Sequence, residues 1–317
     1  MSSSTQHDPT AHDAAAHDAR PRTALVLGGG GSIGNAWLIG VVAGLADAGV
    51  DVTTADLVVG TSAGSTAAAQ LTHARADKLY ADILSAVAPS PSSRTESVAR
   101  PASRPPAIDH QERTARIIAE AADASDMRRR LGADALALEA PADWSARWRS
   151  IVGARLPSTQ WPAGRLLITA VDARTGEPVV LDRESGVDLV DAVAASCSSG
   201  YPYRIGDDWY LDGGYRTNAD NADLAAGHEL VLVLSPFGGR SRTPKQWGLH
   251  LADQVSELRA HGSRVETVFP DRASLAAFGD DMMDVSRRTP AAEAGHGQGS
   301  SLAASLGATD FGRRPRG

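Results

Sequence analysis

The chain has 317 residues, 42% of them hydrophobic and only 5% aromatic, so it can bury a large core built mainly from Ala, Val and Leu. With 38 acidic and 31 basic side chains the formal net charge is −7, which argues against nucleic acid as a partner, because such proteins concentrate positive charge. The lone cysteine, Cys197, excludes an internal disulfide and a cysteine-built metal site, and no run approaches the roughly 18 to 20 apolar residues that span a bilayer.

Residues 1–22 are rich in Ser, Ala, His and Asp and lack the hydrophobic stretch of a signal peptide. A solvated tail and a cytoplasmic protein, with room for peripheral membrane contact, are the expectation. The pairs His7-Asp8, His12-Asp13 and His17-Asp18 suggest metal ligands, but the composition around them is that of a disordered segment.

Thr23 to Leu27 reads as a short buried strand and runs straight into Gly28-Gly29-Gly30-Gly31-Ser32-Ile33-Gly34. A helix is predicted from about Asn35 to Ala48, with Trp37, Leu38, Val41, Val42 and Leu45 at helical spacing. Consecutive glycines allow successive amides to face one point, which suits a phosphate or an oxyanion equally. Gly29, Gly31 and Gly34 also fit a dinucleotide-binding fingerprint, with Asp51 near the position of a ribose-binding acid. Against that reading, Asp51 follows a helix end, and the next strand leads to a serine.

That strand, within Ala55 to Val59, precedes Gly60-Thr61-Ser62-Ala63-Gly64. A serine between glycines, after a strand and before the small-residue helix Ala63 to Leu71, has the form of a nucleophile elbow. Its flanking residues must be small because the backbone is strained and strand and helix come close. The serine would stand at the positive end of the helix, with the Ala63 amide facing a developing oxyanion.

Residues 88–110 are rich in Pro, Ser and Arg, and form an insertion that suits a lid or a plain surface loop. A charged helical pattern follows from Gln111 to Leu131. Strands are predicted at Arg165–Val171, Val179–Leu181, Glu229–Ser235 and Arg264–Phe269, with helices at Val187–Ser196 and Lys245–Gly262. A further short strand, Trp209 to Leu211, leads into Asp212-Gly213-Gly214, which is either a plain turn or an acid at the mouth of a site. From Pro290 the chain is rich in Gly, Ala and Arg and is expected to fray. Strands separated by helices predict an α/β fold with a mainly parallel sheet covered on both faces.

The glycine loop Gly29 to Gly34, the elbow Gly60 to Gly64 and Asp212-Gly213-Gly214, in that order, resemble the patatin-like phospholipases, acyl hydrolases with a Ser–Asp dyad. The resemblance covers roughly Thr23 to Ser235 and extends to Leu166–Asp172 with the turn Thr175 to Pro178, and to Ala194–Ser198. It implies a patatin-like three-layer fold, a nucleophile at Ser62, a base at Asp212, and an oxyanion hole from the amides of Gly29, Gly30, Gly31 and Ala63. Gly34, Gly60, Gly64, Gly213 and Gly214 would support the motifs. No metal or organic cofactor is implied, and the expected substrate is a lipid or related ester. One departure is Ile33, where the family usually carries Arg or Lys.

The implied organisation is a tail over 1–22, a catalytic domain over 23–235, an extension over 236–289 on the same core, and a flexible end over 290–317. None of the histidines follows a late strand as in a three-residue triad. His250 and His261 are the remaining candidates, inside a predicted helix.

Overall fold

The computed structural model describes residues 21–86, 107–307 and 311. The His-Asp pairs of the tail and the Pro/Ser-rich stretch up to residue 106 lie outside the described residues. In chain order the strands are β1 (Thr23–Leu27), β2 (Leu57–Gly60), β3 (Arg165–Asp172), β4 (Pro178–Leu181), β5 (Tyr203–Ile205), β6 (Asp208–Asp212), β7 (Leu230–Leu234) and β8 (Arg264–Val268). The helices are α1 (Gly31–Asp47), α2 (Ala63–Leu71), α3 (Ala76–Ser85), α4 (Ala107–Glu120), α5 (Ala124–Leu136), α6 (Trp144–Gly153), α7 (Leu189–Ser196), α8 (Leu251–Ala260), α9 (Arg272–Phe278) and α10 (Arg288–Gly307).

The strands form one sheet in the order β5-β6-β3-β2-β1-β7-β8, with β4 also on β3. From β3 to β8 the pairing is parallel, as expected. At the other edge β4, β6 and β5 are antiparallel, so the sheet is mixed rather than mainly parallel throughout. Chain length explains the change. Only Gly206 and Asp207 join β5 to β6, far too few residues for the crossover that parallel neighbours need, and Gly206 makes the turn at φ 60°.

Alternation along the strands sends side chains to two cores. Leu25, Leu27, Val58, Ile168, Leu232 and Leu234 pack with α1, α2, α7 and α10 on one face. Ala24, Val26, Val59, Leu167, Val231 and Val233 pack with α8 and the turn Ala222–Ala225 on the other. A third cluster joins α4 and α5 to Val171 and Leu211 at the antiparallel edge. The helical pattern expected over Gln111 to Leu131 is in fact two helices, because the Asp123 side chain accepts from the Asp126 amide and starts α5 afresh. Likewise the helix expected from Lys245 begins only at Leu251, after a left-handed Gly248.

The largest departure is at the end of the chain. Residues 290–307, within the stretch expected to fray, belong to α10, which lies against α1. The glycines that suggested disorder are its contact surface. A methyl at Gly40 would run into the Ala292 carbonyl, at Gly44 into that of His296, at Gly295 into that of Trp37, and at Gly299 into that of Val41. Both helices therefore carry small-xxx-small pairs that let their backbones touch. Trp37 locks the junction, its indole N–H reaching Ser274 Oγ and Gln298 Oε1, both at 3.1 Å.

Candidate active site

The common ruler of the site is β3. Gly60 at the end of β2 pairs with Ile168, and Asp212 at the end of β6 pairs with Ala170 two residues on. Ser62 stands two residues beyond Gly60, so the sheet register itself carries serine and aspartate to the same level. The Ser62 hydroxyl donates to Asp212 Oδ2 at 2.9 Å, across 150 positions of sequence. Asp212 Oδ1 accepts from the Gly214 amide at 2.8 Å, which fixes the plane of the carboxylate, and Asp212 is only 8% exposed.

Ser62 occupies φ 52°, ψ −118°, a conformation that costs an L-residue about 1–3 kcal/mol and persists only where the surroundings enforce it. Those surroundings are close backbones. A methyl on Gly60 would stand 2.6 Å from Ser65 Cα, and one on Gly64 would strike the Leu27 carbonyl. The Ser62 amide donates to Ser196 Oγ at 2.9 Å, and its carbonyl accepts from Ser65 Oγ at 2.6 Å and from the Cys197 thiol at 3.1 Å. Every polar group of the elbow residue is thereby held.

The glycine loop passes directly beside it, since a methyl on Gly29 would lie 3.5 Å from Ser62 Cβ. Gly31 turns at φ 62°, and Gly34 donates back to Gly30 at 2.8 Å to begin α1. Of the four expected oxyanion donors, the structure engages one elsewhere: the Gly29 amide donates to the Ala219 carbonyl at 2.7 Å. The amides of Gly30, Gly31 and Ala63 bond to none of the described residues. Gly213 lies against Thr169, beneath the aspartate.

The sequence profile described as Patatin-like phospholipase matches residues 25–225, a stretch that contains the loop, the elbow and Asp212. The chain belongs to the patatin-like phospholipase family. Among solved structures it is similar to VipD from Legionella pneumophila, at 13% identity over 90% of this chain and 67% of that one, with a TM-score of 0.46. It is also similar to the type III effector protein ExoU, at 14% identity over 90% of this chain and 53% of that one, with a TM-score of 0.36. The chain thus spans about two thirds of the first and about half of the second. No curated protein matches it.

Behind the Ser62–Asp212 pair lies a buried polar network that the sequence reading missed. Thr169 Oγ1 donates to Thr61 Oγ1 at 3.0 Å, and the Asn221 amide group reaches Thr61 Oγ1 and the Gly213 carbonyl, each at 3.0 Å. All three residues are fully buried, so this network ties the elbow to the aspartate loop in a medium where unpaired groups are costly. Asn221 adopts the left-handed region at φ 54°, which is tolerated best by Asn and Asp, and its place in the run Asn218 to Asn221 was the available signal. Ser196 was in view only as part of the helix end before the aspartate motif; nothing local marks its hydroxyl as the partner of an amide 134 positions away.

Cys197 is a thiol here. Burial, and then the charge of Asp212, push it up to about 11, which suits its donation to the Ser62 carbonyl. The expected histidine alternatives lie elsewhere: His250 bonds the Thr243 carbonyl, and His261 faces Glu257. Asp51 caps a short turn through the Thr53 amide and does not end a strand, unlike the acid of a dinucleotide fold. Among the described residues no His, Cys, Asp or Glu cluster is arranged to hold a metal ion, and no helix is long and apolar enough to cross a membrane.

Proposed function

We propose that the protein is a serine acyl hydrolase that cleaves the acyl ester of a phospholipid or related lipid through an acyl-enzyme on Ser62, with Asp212 as base. One observation carries the reading: a serine in strained backbone, at the head of a helix, donating at 2.9 Å to a buried carboxylate whose second oxygen is already fixed. As the Ser62 oxygen attacks the acyl carbonyl, its proton passes to Asp212 Oδ2. The carbonyl oxygen becomes an oxyanion facing the amides of Gly30, Gly31 and Ala63, and on collapse the leaving alcohol takes the proton from Asp212. Water then gives a proton to Asp212 and attacks the acyl-serine, releasing the carboxylic acid and restoring the serine. A carboxylate is a weak base, so the burial of Asp212 and the preorganised amides together supply what a histidine would otherwise provide.

Family membership supports a lipid as the acyl donor, presented at a membrane surface or in a micelle. Hydrolysis of a short-chain nitrophenyl ester by the wild type, Ser62→Ala and Asp212→Asn tests the roles. Wild-type turnover lost in both folded variants is expected, and retained activity in either one removes that residue from the mechanism. Released fatty acid from phosphatidylcholine, lysophosphatidylcholine and diacylglycerol vesicles then ranks the substrates.

A further inference from the structure

The first turn of α1 is gripped from outside the family-matched stretch. Within that turn the peptide unit joining Ser32 to Ile33 is held at both ends by residues 282–288: the Ile33 amide donates to the Met282 carbonyl at 3.0 Å, and the Ser32 carbonyl accepts from Arg288 Nη1 at 2.8 Å. Arg288 Nη2 adds a bond to Asn35 Oδ1 at 3.1 Å, and Asn35 continues to Gln70 on α2 at 3.0 Å. Arg288 therefore holds α1 directly and reaches α2, the helix of the elbow, only through Asn35.

Its electrostatic setting needs an explanation. A guanidinium is charged at every accessible pH, and here it stands at the N-terminal ends of both α1 and α10, where helix dipoles disfavour a cation. Among the described residues Arg288 forms no ion pair, and each of its bonds goes to a neutral acceptor. Burial, followed by the positive charge of Arg155, lowers its proton affinity. Ile33 is apolar and fully buried, and among the described residues no other cationic side chain hydrogen-bonds to this turn. A positive charge kept in place without an anion bonded to it among the described residues is compensated when negative charge develops nearby. Under the reaction proposed above, that charge develops at amides that include those of Gly30 and Gly31, which open this same turn of α1.

We infer that Arg288 is a positioning cation for the acyl-transfer step: it fixes the turn that aims the Gly30 and Gly31 amides and adds positive potential to the oxyanion. The inference rests on the Ser62–Asp212 reading. It predicts an effect on turnover rather than on ground-state binding, because the oxyanion exists only in the transition state and intermediate.

The test compares wild type, Arg288→Gln and Arg288→Lys on a neutral nitrophenyl ester and on an ester bearing a phosphodiester, with fluorophosphonate labelling rates and melting temperatures measured in parallel. Arg288→Gln is expected to lose about tenfold or more in kcat and in labelling rate on both substrates, with KM within about twofold. Arg288→Lys, which keeps the charge, should recover most of that loss. Wild-type kcat in Arg288→Gln overturns the inference. So does an equal fall in both variants accompanied by a lower melting temperature, which marks a purely structural role. A KM rise confined to the phosphodiester substrate also overturns it, in favour of a headgroup contact. Wild-type protein inert to ester and fluorophosphonate removes the dyad reading and this inference with it, whereas an active wild type with an unaffected Arg288→Gln removes this inference alone.

Discussion

Asp220→Asn isolates the electrostatics beneath the glycine loop. Asp220 is 2% exposed, its Oδ1 has no partner among the described residues, and a methyl on Gly28 would strike that oxygen, which places it directly under the loop. Burial pushes its carboxyl from 3.8 up to about 7, opposed only in part by a hydrogen bond from Ser235. The native state therefore holds a proton that the unfolded chain has already released, and stability falls as pH rises through the window from about 4 to about 7. The distance from 3.8 to about 7, at 1.36 kcal/mol per pH unit, makes that loss about 4 kcal/mol by pH 8. The carboxamide of the variant cannot ionise, so the variant should match wild type near pH 4 and exceed it by up to about 4 kcal/mol at pH 8. Urea unfolding of both proteins at pH 4.5, 6 and 8 reads the difference. A gap that does not widen with pH, or a variant less stable than wild type at pH 8, refutes the reasoning.

Ser196→Ala leaves the Ser62 amide without its partner, which should cost about 1–3 kcal/mol of stability and lower kcat; chemical denaturation and ester turnover check the two effects. The packing of α10 makes opposite predictions for two glycines two residues apart. Gly299→Ala drives a methyl into the Val41 carbonyl and should lower the melting temperature, whereas Gly297→Ala meets nothing within 4 Å and should stabilise by about 0.5–1 kcal/mol through helix propensity. Cys197, half-buried and at about 11, is thiolate in only about one molecule per thousand at pH 8, so native protein should react with Ellman's reagent far more slowly than the unfolded chain; rapid stoichiometric reaction of native protein would contradict that raised value.

What could be read in the sequence was local. Strand, glycine loop and helix at Thr23 to Ala48, and strand, elbow and helix at Ala55 to Leu71, each carry period and turn chemistry within a few residues, and the structure reproduces them with small shifts at their ends. Asp212 was legible by its two glycines and by its order in the chain. Contacts between distant segments left no local trace. The hydroxyl of Ser196, the amide group of Asn221 and the guanidinium of Arg288 act on residues 134, 160 and 256 positions away, where no spacing rule applies. Strand direction at the β5–β6 edge was also hidden, because side-chain alternation is the same for parallel and antiparallel neighbours. At α10 the local signal pointed the wrong way: Gly295 and Gly299 read as helix breakers, and only the facing Gly40 and Gly44 turn them into a packing surface.

Fluorophosphonate labelling followed by peptide mass spectrometry addresses the nucleophile and its base together. Wild type should carry a single adduct on Ser62, Ser62→Ala none, and Asp212→Asn an adduct formed at least about a hundredfold more slowly, in line with losing a general base. An adduct on any other serine, or an Asp212→Asn variant labelled at the wild-type rate, contradicts the account.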